Sequence, residues 1–248
     1  MPTDPKDVLK NYLQGARDTL VWKLDGLSER DQRLPLTPTG MNLLGIVKHA
    51  LNTEVLYFGP SFGREWPTPE ELVPADGTDP QADWYATAME SAAGLVDLYR
   101  RVQEFADQTI EALPLDAIGH VAHWGGAEVT LHEIMVHKIV DLQRHAGHAD
   151  IVREQIDGST GLLRQASNLP GDADWPAYVA KLTALANGSE LNRCTLMPRG
   201  ERTPCWLVGT AAARVTTIYQ RARRRINRLT GPPIGPLPAP WRVRSPAR

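Results

Sequence analysis

The feature that most limits the fold is a proline-free stretch, residues 131–157, that reads as one uninterrupted helix. Thr130 precedes it, and Glu133 three positions later completes the pattern of a capping box, in which each residue bonds the other's backbone N–H. Gly158 follows the last periodic position, where glycine commonly ends a helix. We therefore predict a long helix between Thr130 and Gly158.

Three earlier segments repeat apolar residues at steps of three and four, the spacing of one helix face. They predict helices over about 5–27, 42–58 and 83–113. The middle one is apolar around most of its circumference, which indicates a buried helix. No segment alternates as a strand does, and a short extra helix is expected over 175–186. The fold class is all-α, a four-helix bundle.

Composition narrows the class of protein. The chain is 42% hydrophobic and 23% charged, as in ordinary globular proteins. It has no apolar run of the roughly 18 residues that a membrane span needs, and no secretory leader pattern. Two cysteines, Cys194 and Cys205, make neither a disulfide framework nor a cysteine zinc site. We expect a cytoplasmic protein without a membrane partner.

The charge is divided unevenly along the chain. Residues 1–190 carry 15 Lys+Arg against 28 Asp+Glu, whereas residues 191–248 carry 12 Arg against one acid. This asymmetry predicts two regions, a helical bundle over 1–190 and a basic, Arg/Pro-rich extension over 191–248 that is partly helical or disordered.

The extension admits two interpretations. The run RARRR at 221–225 could bind nucleic acid or another anionic surface. Arginine, alanine and proline without lysine also suit an incidental extension, and we favour that interpretation. Nucleic acid is therefore not expected as a partner except through this tail.

A polar stripe runs along the long helix. His137, Asp141, His145 and His148 fall within an arc of about 80° on a helix that is otherwise largely apolar. Buried polar groups cost several kcal/mol when unpaired. A metal ion or a hydrogen-bonded network is needed to satisfy the stripe.

Spacing limits which residues could share one ion. His137 and His145 are eight apart, about 12 Å along the axis, which is too far. The pairs His137/Asp141 and Asp141/His145 both remain open on spacing alone. Three-ligand sites of histidine and carboxylate are typical of catalytic zinc, and His49, central on the buried helix, is the best third ligand.

Two segments resemble a known family. HKIVDLQRHAGHADIVREQIDG (137–158) and LLGIVKHALNTEVLYFG (43–59) are similar to the motifs of the DinB-like four-helix-bundle metalloproteins, in the actinobacterial branch that includes mycothiol-dependent enzymes. The resemblance covers roughly residues 5–187. It implies that the bundle is of DinB type.

The resemblance also implies a ligand set. The family's first ligand falls on His49 and its last on His145. The middle ligand, usually histidine or glutamate, falls on Asp141, which is shorter by one methylene than glutamate. His137 and His148 then become residues that orient ligands or contact substrate, and both are candidates for proton transfer.

The implied function is a divalent-metal-dependent S-transferase or isomerase that activates the thiol of mycothiol at the metal. Zinc is the first choice of ion, with nickel, iron or manganese as alternatives. Mycothiol would be the cosubstrate and an electrophile the second substrate, with a homodimer as an option. Whether the chain is an enzyme stays open, because a non-catalytic metal-binding or stress-response protein could use the same fold.

Overall fold

The computed structural model describes residues 4–74 and 78–196, with the backbone alone for 189–196. Six helices and two strands lie in these residues. They are α1 (Pro5–Trp22), α2 (Glu29–Arg33), α3 (Leu43–Phe58), α4 (Ala92–Ala112), β1 (Ile118–Val121), β2 (Ala127–Thr130), α5 (Leu131–Asp157) and α6 (Trp175–Leu196). The predicted all-α class is confirmed, with one two-stranded hairpin beside the helices.

The bundle consists of α1, α3, α4 and α5. Helix α3 packs against α4 and α5, and α1 packs against α5. Their apolar faces meet in one core, to which α3 contributes Leu44, Ala50 and Phe58, all fully buried. Burial on most sides of α3 agrees with its nearly continuous apolar sequence.

Helix ends follow local capping chemistry. Asn42 accepts a hydrogen bond from the backbone N–H of Gly45 at the start of α3. Thr130 and Glu133 form the predicted capping box of α5, and Gly158, with φ of 76°, ends it. The predicted bounds of α3 and α5 are thus confirmed.

Three predicted segments differ from the structure. Helix α1 ends at Trp22 rather than near residue 27, and the polar run after it forms α2, capped by Ser28. Helix α4 begins at Ala92 rather than at residue 83, because Ser91 caps it there. Helix α6 extends to Leu196, ten residues beyond the predicted end.

No strand is predicted from the sequence, but the segment between α4 and α5 contains an antiparallel hairpin. Strands β1 and β2 pair from Ile118↔Thr130 to Val121↔Ala127. Two residues with positive φ, Gly125 and Gly126, turn the chain between them. The hairpin leads directly into α5.

The chain divides into two compact units after Leu169, and α6 lies in the second unit. The predicted boundary at residue 190 stays a prediction. The basic run at 221–225 and Cys205 lie outside the described residues, as does the side chain of Cys194. None of the helices described combines the length and apolar character needed to cross a bilayer.

One ionic network lies in the core of the bundle. Arg17 of α1 is 1% exposed and donates to Glu54 of α3 and to Asp107 of α4, the latter bond being 2.8 Å long. The hydroxyl of Tyr99 donates to the other oxygen of Glu54 at 3.2 Å. This network ties α1, α3 and α4 together.

Candidate metal centre

Helices α3 and α5 bring three potential ligands together. One ligand atom each from His49, Asp141 and His145 lies within 4.8 Å of the others. Asp141 Oδ1 is 3.3 Å from His145 Nε2, and the rings of His49 and His145 have centroids 5.0 Å apart. The structure thus places the three predicted ligands around one point.

The spacing fits a small divalent ion. Zinc lies about 2.0–2.2 Å from nitrogen or oxygen ligands, so adjacent ligand atoms in a tetrahedron are about 3.3–3.6 Å apart. The 3.3 Å between Asp141 and His145 has this value. The wider separations, up to 4.8 Å, need a closure of about 1 Å.

The donor set also suits a cation. Carboxylate oxygens and imidazole nitrogens both bind divalent metals, and two imidazoles with a carboxylate are a common zinc set. The Nδ1 of His145 is buried and has no hydrogen-bond partner within the described part of the chain. The His49 and Asp141 side chains are 15% and 23% exposed, so the cluster is sheltered but reachable.

His49 is held by a turn that the sequence did not predict. Residues Ala82–Trp84 form a 3-10 turn, and Asp83 Oδ2 lies 2.7 Å from His49 Nδ1. That bond leaves Nε2 as the ligand nitrogen, since a carboxylate on the far nitrogen commonly orients a metal-binding histidine. The Trp84 ring stacks on His49 at 3.9 Å with 17° between the planes.

Gly45 allows this turn to approach α3. Asn42 Nδ2 donates to the Trp84 carbonyl oxygen at 3.1 Å, and a Cβ on Gly45 would collide with that same oxygen. The sequence carried one signal for the turn. Ser91 is a good N-cap, and starting α4 there would have left Asp83 and Trp84 in a loop.

Lys138 is a second residue that sequence reasoning missed. Its side chain is completely buried, and its ammonium donates to Asp141 Oδ2 at 3.0 Å and to Thr53 Oγ1 at 2.6 Å. Thr53 Oγ1 in turn donates to the carbonyl of His49 at 2.8 Å. These bonds link two ligand-bearing helices beside the cluster.

Neighbouring groups set the ionisation state of the Asp141 carboxyl. Burial raises the pKa of its carboxyl, but the hydrogen bond from His145 and the charge of Lys138 outweigh burial and bring the pKa well below its usual range. Burial lowers the pKa of Lys138, against the opposing pull of Asp141 and Glu54. Asp141 is therefore a carboxylate, as a ligand must be.

His137 lies outside the cluster. Its Nε2 is 3.1 Å from the Tyr57 hydroxyl, which is 3.2 Å from Nε2 of His123. The Trp124 ring packs edge-on against His137. Burial lowers the pKa of His137 and of His123, and burial and then Asp141 raise the pKa of Tyr57 to about 12. Both imidazoles are thus neutral at pH 7 and the phenol is protonated.

His148 lies beside the cluster, with its ring centroid 5.5 Å from that of His145. Its Nδ1 is buried and has no hydrogen-bond partner in the residues described. Burial and then the charge of His145 lower the pKa of His148. His123 and Trp124 lie with Tyr57 and His137 on the hairpin side.

A broad concavity of about 690 Å³ lies elsewhere, along α4. Its lining includes Glu104, Asp107 and Glu111, and it contains none of the three clustered residues. It is wide open and acidic, and it offers no imidazole. The side chains available at the two places therefore favour the cluster between α3 and α5 as the functional site.

A comparison with models of protein families shows which family the chain belongs to. The model of the mycothiol-S-transferase family matches residues 8–158, more than half of the chain. This chain belongs to the mycothiol-S-transferase family. The match spans α1 to α5 and contains His49, Asp141 and His145, which places all three within the family's domain. A comparison with curated proteins finds no match.

Membership in the mycothiol-S-transferase family confirms the resemblance drawn from the two motifs. It places the chain in the DinB-like, mycothiol-dependent branch. Helix α6 and the residues after it lie beyond the matched range.

Proposed function

We propose that this protein is a divalent-metal-dependent mycothiol S-transferase whose metal is held by His49, Asp141 and His145. The observation that carries the proposal is the convergence of these ligand atoms, within 4.8 Å, inside the domain that matches the family. A three-ligand site leaves a position for substrate, as catalytic zinc sites do. Zinc is the first choice, with nickel, iron and manganese as alternatives.

When bound, a divalent metal would favour the thiolate form of a coordinated thiol, which is the nucleophilic form. The protein's own groups prepare the site for this. Asp83 fixes the tautomer and orientation of His49. Trp84 covers one face of His49 and restricts the approach of water.

The transfer itself requires a proton acceptor. The thiol S–H bond breaks and its proton passes to a neutral imidazole. The sulfur electron pair then forms a bond to the electrophilic carbon, and the leaving group departs with the electron pair of its own bond. His148 is the better candidate base, because His137 is already bonded to Tyr57 through Nε2.

The test uses the full chain with mycothiol and a thiol-reactive fluorogenic electrophile. We expect about one metal per chain and turnover in the wild type. His49→Ala should lose metal affinity by more than about a hundredfold, since outer hydrogen-bond partners alone are worth about 10–100-fold. His132→Ala removes an exposed histidine of α5, the helix that carries Asp141 and His145; it is the histidine-to-alanine control and should keep both metal binding and turnover.

The outcomes separate the two functional classes. A wild type without stoichiometric metal refutes the metal centre. A metal-loaded wild type without turnover above a chelated sample indicates instead a non-catalytic metal-binding protein of the same fold. Asp141→Glu tests the shorter ligand, because it restores the length found in relatives with glutamate. Cytoplasmic location, a homodimer and the role of the tail stay predictions.

A further inference from the structure

Lys138 has no role in the proposed transfer, yet it is fully buried beside the cluster. Removing a lysine from water is unfavourable even when a partner is present. Within residues 4–74 and 78–196, its hydrogen-bond acceptors are Thr53 and Asp141, the latter a candidate ligand. A buried cation beside a metal-binding carboxylate therefore lowers the stability of the folded state, and a functional role would explain why it is there.

The contacts of Asp141 divide its two oxygens. Oδ2 accepts from Lys138 at 3.0 Å, while Oδ1 faces Nε2 of His145 at 3.3 Å. A carboxylate can bind a metal through one oxygen or through both. Oδ2 is thus engaged by the ammonium, while Oδ1 is the oxygen that lies beside His145 in the cluster.

Thr53 completes the arrangement. Its hydroxyl accepts from Lys138 at 2.6 Å and donates to the carbonyl of His49 at 2.8 Å. A chain of hydrogen bonds therefore runs from the backbone of one candidate ligand, through Thr53 and Lys138, to the carboxylate of another. It fixes the position of Asp141 before any ion binds.

We propose that Lys138 is a positioning residue that makes Asp141 a one-oxygen ligand and so keeps a coordination position open for the thiol. This inference rests on the proposed metal centre. A two-oxygen Asp141 would add a fourth protein donor atom and fill the position that the substrate sulfur needs. Lys138 thus preserves access of substrate to the metal.

The experiment compares cobalt-loaded wild type with Lys138→Met, which replaces the side chain by an unbranched apolar one that is one atom shorter and has no donor. Cobalt(II) absorbs more strongly with four ligands than with six, and a thiolate adds a charge-transfer band. In Lys138→Met we expect weaker visible absorption and an affinity for mycothiol, read from that band, lowered at least about tenfold. Cobalt itself should still bind.

Lys23→Met is the matched control. Lys23 is also fully buried, and it pairs with Asp150 at 2.6 Å, away from the three candidate ligands. It should reproduce the wild-type spectrum and thiol titration. If Lys138→Met shows the wild-type spectrum and thiol affinity, Lys138 does not set the coordination of Asp141.

A second measurement does not depend on the folding of a variant. The crystal structure of cobalt-loaded wild type should show Asp141 bound through Oδ1, with Oδ2 still on Lys138. Two-oxygen binding overturns the inference while leaving the metal centre intact. A wild type that takes up no cobalt overturns the metal centre itself, and the two failures are therefore distinguishable.

Discussion

Helix α3 carries two buried polar clusters that differ in their balance of donors and acceptors. On one side Glu54 meets Arg17 and Tyr99, and both of its oxygens receive hydrogen bonds. On the other side His49 faces Asp141 and His145, where ligand atoms converge. The two sides are about 140° apart around the helix, since His49 and Glu54 are five positions apart. Burial alone does not mark a functional site, but an excess of converging acceptors does.

The charges of the two clusters support the same distinction. Burial lowers the pKa of Arg17, but Glu54 and Asp107 outweigh it and raise the pKa above its ordinary value. Arg17 is therefore charged at every accessible pH, and the network is complete without any ligand. We assign the Arg17 network to stability and the His49 cluster to binding.

The largest effect that tests this comparison is expected from Arg17→Met. It leaves Glu54 buried without its cation, and breaking a buried pair in this way costs about 3–5 kcal/mol of unfolding free energy. His49→Ala, measured in chelator, should cost much less. The measurement is urea unfolding of metal-free protein, and equal losses in the two variants would contradict the assignment.

The second effect concerns metal rather than the bare chain. A ligand that binds the folded state alone, present at 100 times its Kd, stabilises that state by about 2.7 kcal/mol. Zinc should therefore raise the unfolding free energy of wild type by this amount and leave Asp141→Ala unchanged. A buried-network variant that still folds, such as Tyr99→Phe, should keep the full response. Stabilisation of Asp141→Ala by zinc would show that the ion binds elsewhere.

The third effect tests the turn that supports His49. Gly45→Ala would force the Trp84 carbonyl away from α3, and overpacking of this kind costs about 1–3 kcal/mol. Because Asp83 lies in the same turn, zinc affinity should fall as well. Gly15→Ala in α1, whose Cβ would meet nothing within 4 Å, should instead stabilise the helix by about 1 kcal/mol. Unchanged zinc affinity in Gly45→Ala would exclude the turn from the site.

Much of this arrangement could be predicted from the sequence. The apolar periodicity of α3 and α5 and the four-residue step between Asp141 and His145 suffice to place these residues on buried helix faces. Spacing could not choose between His137 and His145, and the family resemblance decided for His145. The structure agrees with that choice in geometry, since His137 bonds Tyr57 instead.

The supporting residues could not be predicted for identifiable reasons. The sequence pattern places Asp83 at the start of a helix, because no residue in 83–90 rules out a helix there. The turn is fixed only by the tertiary contact with Gly45. In the sequence Lys138 looks like an ordinary exposed lysine, and only the packing of α3 against α5 buries it. The strands of the hairpin have four residues each, too few for alternation to be recognised.

The smallest expected effect is a pH dependence of the unfolding free energy, which should arise on the histidine side of α3 and not from Arg17. Burial lowers the pKa of His137 in the folded state, while the unfolded chain binds that proton near pH 6.5. Between the two pKa values the unfolded state holds more protons, so stability is fully present above pH 6.5 and is lost as the pH falls through this window. His137→Gln should reduce this loss between pH 7 and 5.5, measured by urea unfolding in chelator. The raised pKa of Arg17 keeps its guanidinium charged throughout this range, so Arg17 should contribute nothing to the slope. A slope unaltered in His137→Gln would mean that the proton uptake arises elsewhere.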